Sequence, residues 1–117
     1  MKQEKFKIIQ FVREFLIMID GQMDNFPKKD IELKNRIRMN SYDILEVAYE
    51  ANTEPSKETK KQLLQKVIAK VKVIDFLLNL SYEKKIITEK KYYKLGAKMD
   101  DIVKYTTGWI QMLNNTH

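Results

Sequence analysis

Glu46, Glu50 and Glu54 recur every fourth residue, a spacing that on a helix lines carboxylates along one face. Such a row serves metal-dependent nucleotide chemistry only when a facing helix brings a matching acidic set. The stretch from Lys57 to Ser81, expected to lie opposite, carries none. The three glutamates therefore read as a solvated helix face. A di-metal carboxylate bundle needs paired Glu-x-x-His motifs, and the helical ribonucleases need a histidine a few residues after an arginine. The only histidine is His117, the last residue, so neither can be assembled, and no Ser-His-Asp set can be built either. Three glycines make no phosphate-cradling loop. The absence of cysteine removes thiolate metal sites and disulfides. The expectation is a protein that is not an enzyme and takes no metal, cofactor or small-molecule substrate.

Lysine is the residue type with most to offer. The chain carries a net charge of +6, and Arg13, Arg36 and Arg38 are its only arginines. An abundance of Ile, Asn, Tyr and Phe is the bias of proteins encoded by AT-rich DNA, which raises lysine content by itself, so position says more than total. Up to Glu54 nine basic residues face ten acidic ones, a balance of −1; from Pro55 onward thirteen face six, a balance of +7. Lys57, Lys60 and Lys61 form one group, Lys66 and Lys70 stand a turn apart, Lys84 and Lys85 adjoin, and Lys91, Lys94 and Lys98 recur at helical spacing. That pattern predicts a positive stripe able to follow a phosphate backbone, each contact releasing condensed counterions. Tyr82, Tyr93 and Tyr105 are interleaved and offer rings on which bases can stack. Arg36 and Arg38 are secondary candidates, because a guanidinium can also pair across an interface with Glu46 or Glu50.

These residues need helices to position them. Two prolines and three glycines leave almost none of the punctuation that a sheet's turns require. Phe6, Ile9, Val12, Leu16, Ile19 and Met23 repeat at three- and four-residue intervals, predicting a helix over 3–23 that ends near Asn25-Phe26-Pro27. A second is expected over 30–52 with Asp30 as its cap and Leu33, Ile37, Ser41, Ile44, Ala48 and Ala51 inward. A third, over 55–81 and capped by Thr53 or Ser56, turns Leu64, Val67, Ile68, Val71, Ile74 and Leu78 inward. A fourth, over 88–113 and capped by Thr88, carries a stripe from Tyr92 through Leu95, Met99, Ile102 and Thr106 to Leu113. Short links favour an all-α, antiparallel up-down-up-down four-helix bundle, one domain over 1–117. The longest apolar run, Phe15 to Ile19, falls far short of the ~20 residues of a membrane span, so a soluble cytoplasmic protein is expected.

One stretch exceeds what a monomer needs. Within Val73 to Leu80, Ile74 and Leu78 point to the core while Val73, Phe76 and Leu80 face nearly the other way. A helix apolar on two sides must bury both, so this second face, with surplus Phe11 and Phe15, is expected to be a subunit interface; the alternative is that chain ends and loops fold over it within the monomer. Trp109 is expected at a bundle end or a subunit contact, with base stacking as the alternative.

The run Ile86-Ile87-Thr88-Glu89-Lys90-Lys91-Tyr92-Tyr93-Lys94-Leu95, followed by Met99, Ile102 and Gly108-Trp109-Ile110, resembles the last helix of the accessory variability determinant (Avd-like) family of diversity-generating retroelements. Phe26-Pro27-Lys28, Arg36-Ile37, Ile44-Leu45-Glu46 and Glu50-Ala51-Asn52 agree with that family's second helix, so the likeness runs from Phe26 to Gln111. The chain has Thr107 and Gln111 where the family has glycine and lysine. More distantly it is similar to the four-helix proteins encoded in intervening sequences of 23S ribosomal RNA. The resemblance implies a ring-like homopentamer that binds RNA or DNA and partners a reverse transcriptase during mutagenic copying of template RNA. The rival reading, from the residues alone, is a protein-interaction module whose lysines only keep it in solution.

Overall fold

Four α-helices make up most of the computed structural model, which describes residues 2–115, with side chains from Lys7 onward. They are α1 (Lys2–Asp20), α2 (Ile31–Thr53), α3 (Lys57–Glu83) and α4 (Glu89–Asn115), and no strand occurs among the described residues. Helices α1 and α3 each pack against both α2 and α4. His117 and the side chain of Phe6 lie outside the described residues.

Local chemistry accounts for most of the helix ends. The Ser56 backbone is extended and its Oγ accepts a hydrogen bond from the Thr59 N–H at 3.3 Å, capping α3. Thr88 Oγ1 accepts in the same way from the Lys91 N–H at 3.2 Å, one turn into α4. Helix α3 closes with the Lys85 N–H on the Tyr82 carbonyl and the Ile86 N–H on the Ser81 carbonyl, both 2.9 Å. This is the Schellman pattern, and it places Lys85 at φ 64, where glycine is the usual occupant.

The first link departs from expectation. Helix α1 stops at Asp20, short of Met23, because the chain turns through two short 3-10 helices, Met23–Asn25 and Lys28–Asp30. Met23 and Phe26 stay buried, so the turn itself roofs the core. Asp30 does not cap α2. Its N–H already donates to the Pro27 carbonyl at 2.9 Å, so the chain enters α2 from a 3-10 turn, without the extended residue that a cap requires.

One core runs through the bundle, built on Ile8, Val12 and Phe15 of α1, Ile37 and Ile44 of α2, Leu64, Ile74 and Leu78 of α3, and Leu95 and Ile102 of α4. Helix α1 is turned from its expected stripe: Ile8 and Phe15 are innermost, and Ile9 and Leu16 are only half-buried. Phe15 is thus a core residue and not a surplus ring for a subunit contact, while Phe11 lies at the core's edge. Three buried hydroxyls are satisfied within their own helices. Ser41, Ser81 and Thr106 donate to the carbonyls of Ile37, Leu77 and Ile102 at 2.6, 2.9 and 2.6 Å.

Candidate nucleic-acid interface

Each lysine of the expected stripe is placed by the rotation of its helix. On α3, Lys70 reaches α2 and pairs with Asp43 at 3.2 Å, and Lys66 stands exposed one turn before it. On α4, Lys98 reaches α1 instead, meeting Glu14 at 2.7 Å and sitting 5.1 Å from the Phe11 ring centroid. Lys91 and Lys94 flank the same α1–α4 seam beside Ile17, Met18 and Gly21. The lysines therefore form separate groups on different seams, and not the single stripe expected. Spacing orders residues along one helix but says nothing of its rotation against its neighbours.

Several of these lysines are engaged. Lys61 pairs with Glu58 at 2.9 Å and donates to Asn114 Oδ1 at 3.1 Å. Lys60 lies 5.8 Å from the Trp109 ring centroid, at the start of α3 that also carries Lys57. Lys84 holds Asp30, whose side chain is 9% exposed, at 3.1 Å. A charge so enclosed is costly without such a partner. Arg36 is exposed, and Arg38 lies in a crevice with Leu16, Asp20 and Tyr42; neither pairs with Glu46 or Glu50 among the described residues.

What the fold does bring together is the pair of links. Lys29 from the first link and Lys84 and Lys85 from the second line one cleft with Asn25, Pro27, Asp30 and Ile86. The links join the C-termini of α1 and α3 to the N-termini of α2 and α4, so the helix dipoles offset one another there and the lysine side chains supply the positive charge. Sequence reasoning passes over Lys29 because it belongs to the half of the chain with a −1 balance. The Lys28-Lys29 pair beside Pro27 is the signal that could have found it.

The aromatic candidates separate in the same way. Tyr82 stacks on Tyr92, with centroids 5.5 Å apart and planes 8° from parallel, and donates to Glu89 at 3.1 Å. That hydrogen bond to a carboxylate raises the Tyr82 pKa above the ordinary phenol value. Tyr105 lies against Phe11 at 5.4 Å, between Lys7 and Lys104. Only Tyr93 of the three keeps an open ring, 65% exposed. Trp109 is 3% exposed inside its own chain, which corrects the interface and base-stacking expectations: the indole has no free surface for either. Val73 and Phe76 are 49% and 68% exposed and Leu80 is half-buried, so the second apolar face of α3 is uncovered.

The fold and these surfaces define an all-helical protein with divided cationic patches and an uncovered apolar face. Among the described residues no cluster of acidic, histidine or cysteine side chains is suited to a metal ion, and no helix is long and apolar enough to cross a membrane. Compared with known protein families, with curated proteins and with solved structures, the chain matches none of them.

Proposed function

We propose that the protein is a non-enzymatic, self-associating accessory factor of the cytoplasm that binds RNA or DNA through its link region, as the resemblance to the Avd-like family implies. The observation that carries this reading is the convergence of Lys29, Lys84 and Lys85 on one cleft. Lys85 strengthens it, because a lysine there accepts a backbone conformation that glycine adopts at no steric cost. Lys91 and Lys94 add a second cationic patch on the α1–α4 seam. The up-down-up-down course belongs to this reading. It is supported for α2 and α3 by the pairings Lys70–Asp43 and Lys84–Asp30, in which numbers rise along α3 into the link after it as they fall along α2 into the link before it. So do a ring of copies and a reverse-transcriptase partner, both carried by the resemblance.

Fluorescence anisotropy of a structured RNA and a matched DNA duplex across a salt series tests it. Binding in the micromolar range or tighter is expected, weakening steeply with salt. A Lys29→Gln/Lys85→Gln/Lys91→Gln/Lys94→Gln variant should lower the salt slope by roughly one for each phosphate that the variant leaves unneutralised. No binding at low salt overturns the reading. It would leave the interaction-module alternative, which the exposure of Val73 and Phe76 favours.

A further inference from the structure

Midway along its length the α3–α4 seam opens into a groove with Gly96 among its lining residues. Gly96 stands inside α4, where glycine is the least favourable residue after proline. Nothing within the chain calls for it. Its φ is not positive, and a Cβ built on it meets no atom within 4 Å. The space left by the missing side chain is open to something outside this chain. Apolar surface is ready beside it, since Tyr93 lines the groove and the exposed Phe76 follows Asp75, another lining residue, on α3.

Charge identifies the occupant. Helix α3 contributes Lys72 and Asp75 and helix α4 contributes Asp100 and Lys104, so the groove is neutral in a chain of net +6. A nucleic acid or an acidic peptide would call for an excess of cations here, and there is none. Lys72 and Asp100 have no charged partner among the described residues. Asp75 is taken up by the Tyr92 hydroxyl and Lys104 lies over the Tyr105 ring, which leaves Lys72 and Asp100 as the charges with no such contact among the described residues. A surface that offers both signs in this way is complementary to a copy of itself turned about a two-fold axis.

We propose that this groove is the contact between two copies of the chain, docked groove to groove. Lys72 of each copy faces the partner's Asp100, and the Phe76 and Tyr93 rings cover the open floor at Gly96. The inference rests on the self-association reading and adds the surface used. It also makes the contact isologous, so that a ring would need a second, different contact.

Sedimentation equilibrium of the whole chain tests it. Wild type should exceed the 14.0 kDa of one chain. Lys72→Glu makes the groove net −2 and Asp100→Lys makes it net +2, so each alone should weaken association by about tenfold or more. An equimolar mixture of the two should restore it, because unlike grooves then meet. Gly96→Gln, which the monomer has room for, should weaken association with unchanged helix content by circular dichroism. A wild type of one-chain mass at all concentrations sinks self-association and this contact with it. A wild-type assembly that none of the three variants disturbs overturns the groove alone, as does failure of the mixture to recover.

Discussion

Helix α4 presents one flank to α1 and the other to α3, and the two seams are built differently. Toward α1, the middle of the seam is closed by long side chains that find partners within the chain: Tyr105 lies on Phe11, and Lys98 bridges Phe11 and Glu14. Toward α3, Gly96 and Ala97 bring no bulk, and Lys72 and Asp100 stand without charged partners among the described residues. A seam closed by its own residues has little left to offer, whereas an open one keeps apolar surface and charge in reserve. The contrast locates spare apolar surface and charges without ion pairs beside Gly96 on the α3 flank, and cationic side chains at the links.

Both flanks depend on the row of α4 that faces the core, so its disruption should give the largest effect. Trp109→Ala should cost about 3–5 kcal/mol in urea denaturation; a cost near zero would put the indole back at the surface. On the closed flank, Phe11→Ala removes a half-buried ring that touches Tyr105 and Lys98, for about 1–3 kcal/mol. The open flank should respond with the opposite sign. At protein concentrations low enough for monomers, Gly96→Ala should add about 0.5–1 kcal/mol, since its methyl group meets nothing. Destabilisation there would mean that the seam has no room for a methyl group.

The smallest effect concerns the ion pair that closes the α1 flank. The hydrogen bond from Lys98, and then that from Gln10, holds the Glu14 carboxyl below its ordinary pKa. A folded pKa below the unfolded one contributes stability at pH above the unfolded value, and that stability disappears as pH falls through the folded value. The melting temperatures of wild type and Glu14→Gln should therefore differ at neutral pH and converge in acid. A difference that persists well below the carboxylate range would assign it to something other than this charge.

Some of this is legible in the residues. Ser56 and Thr88 are caps because a hydroxyl beside the first turn can reach a free N–H, a contact spanning three residues and so written locally. The outward placement of Val73 and Phe76 follows from the 100° step of a helix. Asp30 has the residue type of a cap yet does not act as one, and the partner that claims its carboxylate, Lys84, is 54 residues away. Periodicity puts Ile9 and Leu16 in the inner row of α1, whereas Ile8 and Phe15 fill it. An apolar face this wide admits several rotations, and α2 and α4 choose among them.

Apolar periodicity and caps act over a turn or two, so the residues alone are enough for the four α-helices and for which side of α2, α3 and α4 faces the core. Which charges share a surface is settled by the fold. Glu14 meets Lys98 across 84 positions, and the two links join at Asp30 and Lys84. The fold also decided that Trp109 is enclosed and that Gly96 lies open. Those outcomes depend on how each helix is rotated against its neighbours, and that rotation is set by the packing of all four helices together.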